Sequence, residues 1–190
     1  NLLDGRLEAD EETLLNTTTE CRQFLSPSPT QVLQGMHNEF NTLSEEVVKL
    51  NQKALDLGHH ILVFPQGTRS KRLLPGHTGL VQMSQRLNLD IIPIACMGSD
   101  NVYSGNSPWG KSGVVRYRVG DPLLLGGEKL GDFRVQEPFT PFGIEAQRNY
   151  GDRFRRITDI VMDEINDLLD EEYQFDPEST QTVEISKRFL

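Results

Sequence analysis

The chain has 190 residues, of which 36% are hydrophobic and 25% charged, and its formal net charge is −9. This length predicts one globular domain with its own core, and the acidic charge argues against nucleic acid as a partner. No apolar stretch reaches the roughly 18 to 20 residues of a membrane-spanning helix. The acidic start is unlike a signal peptide, so we expect an intracellular protein in which Cys21 and Cys96 are reduced.

The first clear helix pattern begins at Thr42, after a poorly defined N-terminal segment of residues 1–41. Thr42 and Glu45 fit a capping box, and Gly58 is suited to end the helix. Apolar residues then recur at spacings of four and three, which predicts one buried helix face. The residues of that face are Leu43, Val47, Leu50, Ala54 and Leu57.

Two short apolar runs follow, separated by a second helical pattern. Ile61–Phe64 is predicted to be a strand covered on both faces. Residues 79–87 are predicted to form a helix with Leu80, Met83 and Leu87 inward. Residues 91–96 form another apolar strand, in which Pro93 predicts an edge, an end or a break in the ladder.

The rest of the domain alternates in the same way. Residues 114–119 show strand alternation, with Arg116 and Arg118 on the polar face, and residues 126–143 are rich in Gly and Pro and predict a loop. Residues 144–172 are helical, and residues 173–190 are predicted to be a loose tail. Alternating helices and strands predict an α/β fold with a mixed, largely parallel sheet flanked by helices.

The candidate binding residues follow the first predicted strand. Ligands of α/β sheets bind beyond the carboxyl ends of the strands. Gly67 permits a tight turn there, Thr68 supplies a hydroxyl, and Arg69 supplies a planar fork of donors that can hold a phosphate. Lys71 and Arg72 add positive potential. The alternative is a solvated basic turn that binds nothing.

The stretch VFPQGTRS, residues 63–70, resembles the FPEGTRS block of the glycerolipid acyltransferases, which include lysophosphatidate and glycerol-3-phosphate acyltransferases. Three further segments, at residues 74–79, 91–94 and 119–123, resemble other parts of that family. The resemblance implies that substrate is bound at the turn and that Gly67, Thr68 and Arg69 hold the phosphate of the acyl acceptor. The implied substrate-binding residues are Phe64, Pro65, Gln66, Gly67, Thr68 and Arg69.

The resemblance also implies an activity in phospholipid synthesis. An acyl group would move from acyl-CoA or acyl carrier protein, as co-substrate, to a hydroxyl of a glycerol-phosphate or lysophospholipid acceptor. No metal or other cofactor is implied. The protein would act in the cytoplasm, as a peripheral protein at the membrane surface.

Two departures from the family pattern leave an alternative open. Gln66 stands where the family usually has Glu. The family's His-x-x-x-x-Asp motif, whose histidine is the general base, is absent: the residues five positions after His37, His59, His60 and His77 are Thr42, Phe64, Pro65 and Gln82. We therefore assign no catalytic residue and expect the acyltransferase-like domain, residues 42–172, to be incomplete on its N-terminal side. The alternative is a catalytically inactive relative that binds phospholipid or acyl donor without turnover.

Several single residues have two interpretations. His77 either begins the second helix or meets a substrate phosphate. Arg153, Arg155 and Arg156 are predicted to form the solvated face of the last helix.

Overall fold

The computed structural model describes residues 29–103 and 109–176. The chain forms two compact units. The first comprises residues 1–61 and 138–151, and the second comprises residues 62–137 and 152–190. Cys21 and the predicted features before residue 29 lie outside the described residues.

The described elements are mostly helical. In chain order they are α1 (Pro29–Asp56), α2 (Gly79–Leu87), β1 (Ile94–Met97), α3 (Ser99–Val102), β2 (Arg116–Val119), a 3₁₀ turn (Gly131–Phe133) and α4 (Ile144–Leu168). None of the helices in this described part is long and apolar enough to cross a membrane.

Helix α1 begins at Pro29, well before the predicted start at Thr42. A proline is tolerated in the first turn because its missing N–H has no partner there. Thr42 lies inside the helix and donates its hydroxyl to the Asn38 carbonyl over 2.9 Å, so the predicted capping box is wrong. The predicted end is confirmed: Gly58 has φ +82° and donates its N–H to the Leu55 carbonyl over 2.8 Å.

The buried face of α1 differs from the predicted one. Leu43 is 63% exposed, and Leu50 and Leu57 are each 66% exposed, whereas Ser44 and Val48 are buried. The inward side is the one on which His37 and Asn41 meet residues 138–150 of the same unit. Because α1 carries apolar residues on both sides, the packing of the unit decides which side is buried.

The second unit contains a small antiparallel sheet. β1 pairs with β2 in the register Ile94↔Val119 to Met97↔Arg116, and Ile91 forms an isolated antiparallel bridge with Leu123. Pro93 lies between the bridge and β1, where it interrupts the ladder as predicted. Over the described residues the fold is therefore mixed helix and small sheet, and these residues do not show the largely parallel sheet that we expected.

The segment predicted as the first strand has no regular secondary structure and pairs with no strand in the described part of the chain. Leu62 is 72% exposed and Phe64 77% exposed, so the prediction that both faces are covered is wrong. An apolar run of four residues does not show whether a neighbouring strand is present.

The core of the second unit is built around α4. Phe154, Ile157 and Val161 of this helix are almost completely buried, as its periodicity predicts. In α2 the predicted inward residues are only half-buried, and the buried ones are Val81, Gln82, Ser84 and Gln85. Burial of Gln85 is explained by a hydrogen bond: its side-chain oxygen accepts from the Val135 N–H over 2.7 Å.

Candidate functional site

The candidate site is the turn at residues 64–70 in the second unit. The Gly67 N–H donates to the Phe64 carbonyl over 3.0 Å, which closes a tight turn directly after the apolar segment 61–64. Gly67 has φ +65°, a conformation that is strained for residues with a side chain. The turn therefore requires the glycine that the sequence places there.

A short chain of hydrogen bonds explains Gln66. Its amide nitrogen donates to the Ser70 hydroxyl oxygen over 2.9 Å, and that hydroxyl donates to the Arg72 carbonyl over 2.6 Å. A glutamate carboxylate accepts hydrogen bonds and cannot donate, so it would compete with the Arg72 carbonyl for the serine proton. Gln66 is thus suited to this turn, and its side chain holds the turn closed.

A second element packs against the basic residues that follow the turn. We call residues 170–176, which come directly after α4, the strap. The Leu73 N–H donates to the Tyr173 carbonyl over 2.8 Å, and Tyr173 is buried although it opens the predicted loose tail. Its hydroxyl bonds the Asp100 carboxylate over 3.0 Å. The strap is therefore fixed to the second unit.

The strap contacts two of the three basic side chains at positions 69–72. Lys71 forms an ion pair with Glu172 over 3.0 Å, and this contact raises the pKa of Lys71 above its ordinary value. Arg72 donates to the carbonyls of Glu171 and Gln174, each over 3.4 Å. The sequence suggested that both cations attract a ligand, whereas the structure uses both to hold the strap.

Arg69 is in a different position. It is exposed and forms neither a hydrogen bond nor an ion pair within the described part of the chain, and the same holds for the Thr68 hydroxyl. Phe64, at the other end of the turn, also faces solvent. The turn thus presents a guanidinium, a hydroxyl and an aromatic ring to whatever approaches it.

One arginine that was predicted to be solvated has a structural role. Arg155 is half-buried, holds the Asp159 carboxylate through two of its nitrogens at 2.9 and 2.6 Å, and donates to the Gly76 carbonyl over 2.8 Å. Sequence reasoning missed this contact because the two residues are 79 positions apart. In the sequence, the only sign that this segment packs closely against another element was the glycine at position 76.

A cavity of about 120 Å³ lies in the first unit, away from the turn in sequence. It is lined by His37 and Asn41 of α1 and by residues between Pro138 and Tyr150, and none of the predicted site residues contributes to it. Across the described residues, no cluster of three or more His, Cys, Asp or Glu side chains is arranged to hold a metal ion.

The comparisons with known proteins bear on the segment that contains the turn. Residues 30–97 match the acyltransferase family. This match confirms the resemblance on which the site prediction depends. The matched residues include nearly all of α1 and the whole of the turn, α2 and β1. It supports acyltransferase function in general terms. No curated protein and no solved structure matches the chain.

Proposed function

We propose that this chain serves acyl transfer from acyl-CoA or acyl carrier protein to a hydroxyl of a glycerol-phosphate or lysophospholipid acceptor. The observation that carries the proposal concerns Arg69, which lies within the matched residues 30–97. Arg69 is exposed and has no hydrogen bond or ion pair among the described residues, whereas the neighbouring Lys71 and Arg72 contact the strap. An arginine fork is suited to grip a phosphate through two parallel hydrogen bonds.

The other groups of the turn suit the same acceptor. The Thr68 hydroxyl lies next to Arg69 in the chain and can donate to a phosphate oxygen. Phe64 is 77% exposed and offers an apolar surface for an acyl chain attached to the head group. Gly67 keeps the turn tight enough to present these groups together.

A lysophospholipid acceptor is held in a membrane, and we propose that the protein acts at the cytoplasmic membrane surface as a peripheral protein. We also propose the largely parallel sheet that the alternation of predicted helices and strands indicates. The sequence contains no His-x-x-x-x-Asp motif, so we assign phosphate binding to named residues and name none for proton transfer.

The test compares Arg69→Ala with Arg148→Ala, a control that removes an exposed guanidinium of α4 outside the turn. CoA release is measured with acyl-CoA and increasing lysophosphatidate. We expect KM for lysophosphatidate to rise about tenfold or more in Arg69→Ala, the loss expected for a charge-assisted contact, and to stay unchanged in the control. An equal KM in both variants would contradict the assignment.

A second candidate function is binding without turnover, which is favoured by Gln66 in place of the family's glutamate and by the missing motif. The same assay separates the two. If the chain sediments with vesicles that contain lysophosphatidate, loses that binding in Arg69→Ala and releases no CoA, the binding function is supported over the enzyme.

A further inference from the structure

His77 lies against the tight turn of the candidate site. A methyl group placed on Gly67 would meet the imidazole carbon Cδ2 at 3.4 Å and the nitrogen Nε2 at 3.6 Å. These are ordinary van der Waals distances, so the ring lies about one methyl group away from the glycine that precedes Thr68 and Arg69. The side chain is nevertheless exposed, and its ring nitrogens form no hydrogen bond within the described residues.

The backbone on both sides of this imidazole is fixed. The His77 N–H donates to the Pro65 carbonyl over 2.8 Å, which ties the residue to the turn. The carbonyl of the preceding residue, Gly76, accepts the Arg155 guanidinium over 2.8 Å. Gly76 itself is buried against Met162 and Thr158. His77 is therefore held in place by its neighbours, while its ring forms no hydrogen bond to any residue that the structure describes.

From this geometry we infer that His77 is a further substrate-binding residue, whose ring N–H binds the same phosphate as Arg69. The inference rests on the proposed function, because it names a second contact of the same anion. A phosphate has several acceptor oxygens, and one guanidinium leaves some of them without a protein donor. Lys71 is paired with Glu172, and Arg72 is directed through Nη1 at two strap carbonyls, so both cations are oriented toward the strap.

The small side chain of Gly67 has a role in this arrangement. The space between Gly67 and the imidazole is about the size of one methyl group. A residue with a side chain would strain the backbone at φ +65°, and one larger than alanine would also crowd the ring. The inferred site therefore comprises Thr68, Arg69 and His77, brought together by Gly67 and by the bond to Pro65.

The experiment titrates the 190-residue chain with sn-glycerol 3-phosphate, with inorganic phosphate and with glycerol as the uncharged control. Binding is measured by calorimetry for the wild type, Arg69→Ala, His77→Ala, His77→Lys and His60→Ala. His60 is an exposed histidine outside the turn, so its variant controls for the loss of an imidazole. Circular dichroism checks that each variant is folded.

We expect Kd for glycerol 3-phosphate to rise about tenfold in His77→Ala, to be largely restored in His77→Lys and to be unchanged in His60→Ala. Inorganic phosphate should show the same order if the phosphate alone is recognised, and glycerol should not bind. The ring resonances of His77, identified by their loss in His77→Ala, should shift when glycerol 3-phosphate is added to the wild type.

The two proposals fail in different ways. If Arg69→Ala loses binding while His77→Ala retains wild-type affinity and the His77 resonances do not move, the role of His77 is overturned and the proposed function stands. If the wild type binds neither glycerol 3-phosphate nor inorganic phosphate and does not sediment with vesicles that contain lysophosphatidate, the proposed function fails, and the inference about His77 fails with it.

Discussion

Replacing Gly76 with alanine tests the packing that places the candidate site on α4. The new methyl carbon would lie 2.8 Å from Met162 Sδ, 3.0 Å from Met162 Cγ and 3.2 Å from Thr158 Cγ2. Favourable contacts between such atoms lie near 3.5 to 4.0 Å or beyond. Thr158 and Met162 are almost completely buried, so neither can move aside freely. We expect the overpacking to lower the free energy of unfolding by about 1 to 3 kcal/mol.

Urea denaturation followed by far-ultraviolet circular dichroism measures this loss, and a double-mutant cycle identifies its cause. Met162→Ala alone should cost about 2 to 5 kcal/mol, because it leaves a cavity. If the methyl of Gly76→Ala then occupies part of that cavity, the double variant should be at least about 1 kcal/mol more stable than the two single losses predict. A change below about 0.5 kcal/mol in Gly76→Ala, or losses that simply add, would refute the close contact.

Three further substitutions test other parts of the structure, all through the free energy of unfolding in urea. Gly35→Ala should stabilise α1 by about 0.5 to 1 kcal/mol, since Gly35 lies within the helix and nothing would contact the new methyl; a loss would contradict the start of α1 at Pro29. Val48→Ala should cost about 1 to 3 kcal/mol and Leu43→Ala under about 0.5, because only Val48 is buried; the reverse order would restore the face predicted from sequence. Partial desolvation, and then the neighbouring carboxylates of α4, raise the pKa of Asp163, so its charged form weakens the folded state at neutral pH, although water screens this exposed side chain. Asp163→Asn should therefore stabilise the protein only slightly at pH 7, by less than about 0.5 kcal/mol, and this gain should shrink as the pH falls through the raised pKa and vanish below the unfolded pKa; a gain that persists at low pH would refute the electrostatic cause.

The sequence predicted the helices better than the faces that they bury. In α4, one apolar stripe faces a polar side, so periodicity alone indicated that Phe154 and Ile157 lie inside. In α1, the spacing pointed to Leu43 and Leu50, yet both are exposed while Ser44 is buried. Burial of a serine is inexpensive there because its hydroxyl bonds the Phe40 carbonyl over 2.8 Å. The spacing of apolar residues does not show that a hydrogen bond makes burial of a serine inexpensive. It therefore cannot decide between two helix faces of similar apolarity.

The local geometry of the candidate site could be predicted, whereas its long-range contacts could not. The glycine at 67 indicated a tight turn because few residues tolerate a positive φ. The strap lies about a hundred residues further along the chain, and Arg72 meets it through backbone carbonyls, which any sequence provides. Lys71 forms its ion pair with Glu172, one of 28 acidic residues, and the sequence does not show which of them is the partner. Pairing of exposed charges cannot be read from composition.

The strap changes what the basic cluster at 69–72 means. Three cations in four residues suggest a general attraction for anions, but pairing with a carboxylate offsets the charge of a cation. Glu172 offsets the charge of Lys71, whereas Arg72 bonds neutral strap carbonyls and keeps its own charge. The local positive charge is therefore smaller than three cations suggest, on a chain of net charge −9. Selective binding of a phosphate then depends on donors placed by the fold around Arg69, and His77 is fixed beside the turn in a position to be one of them.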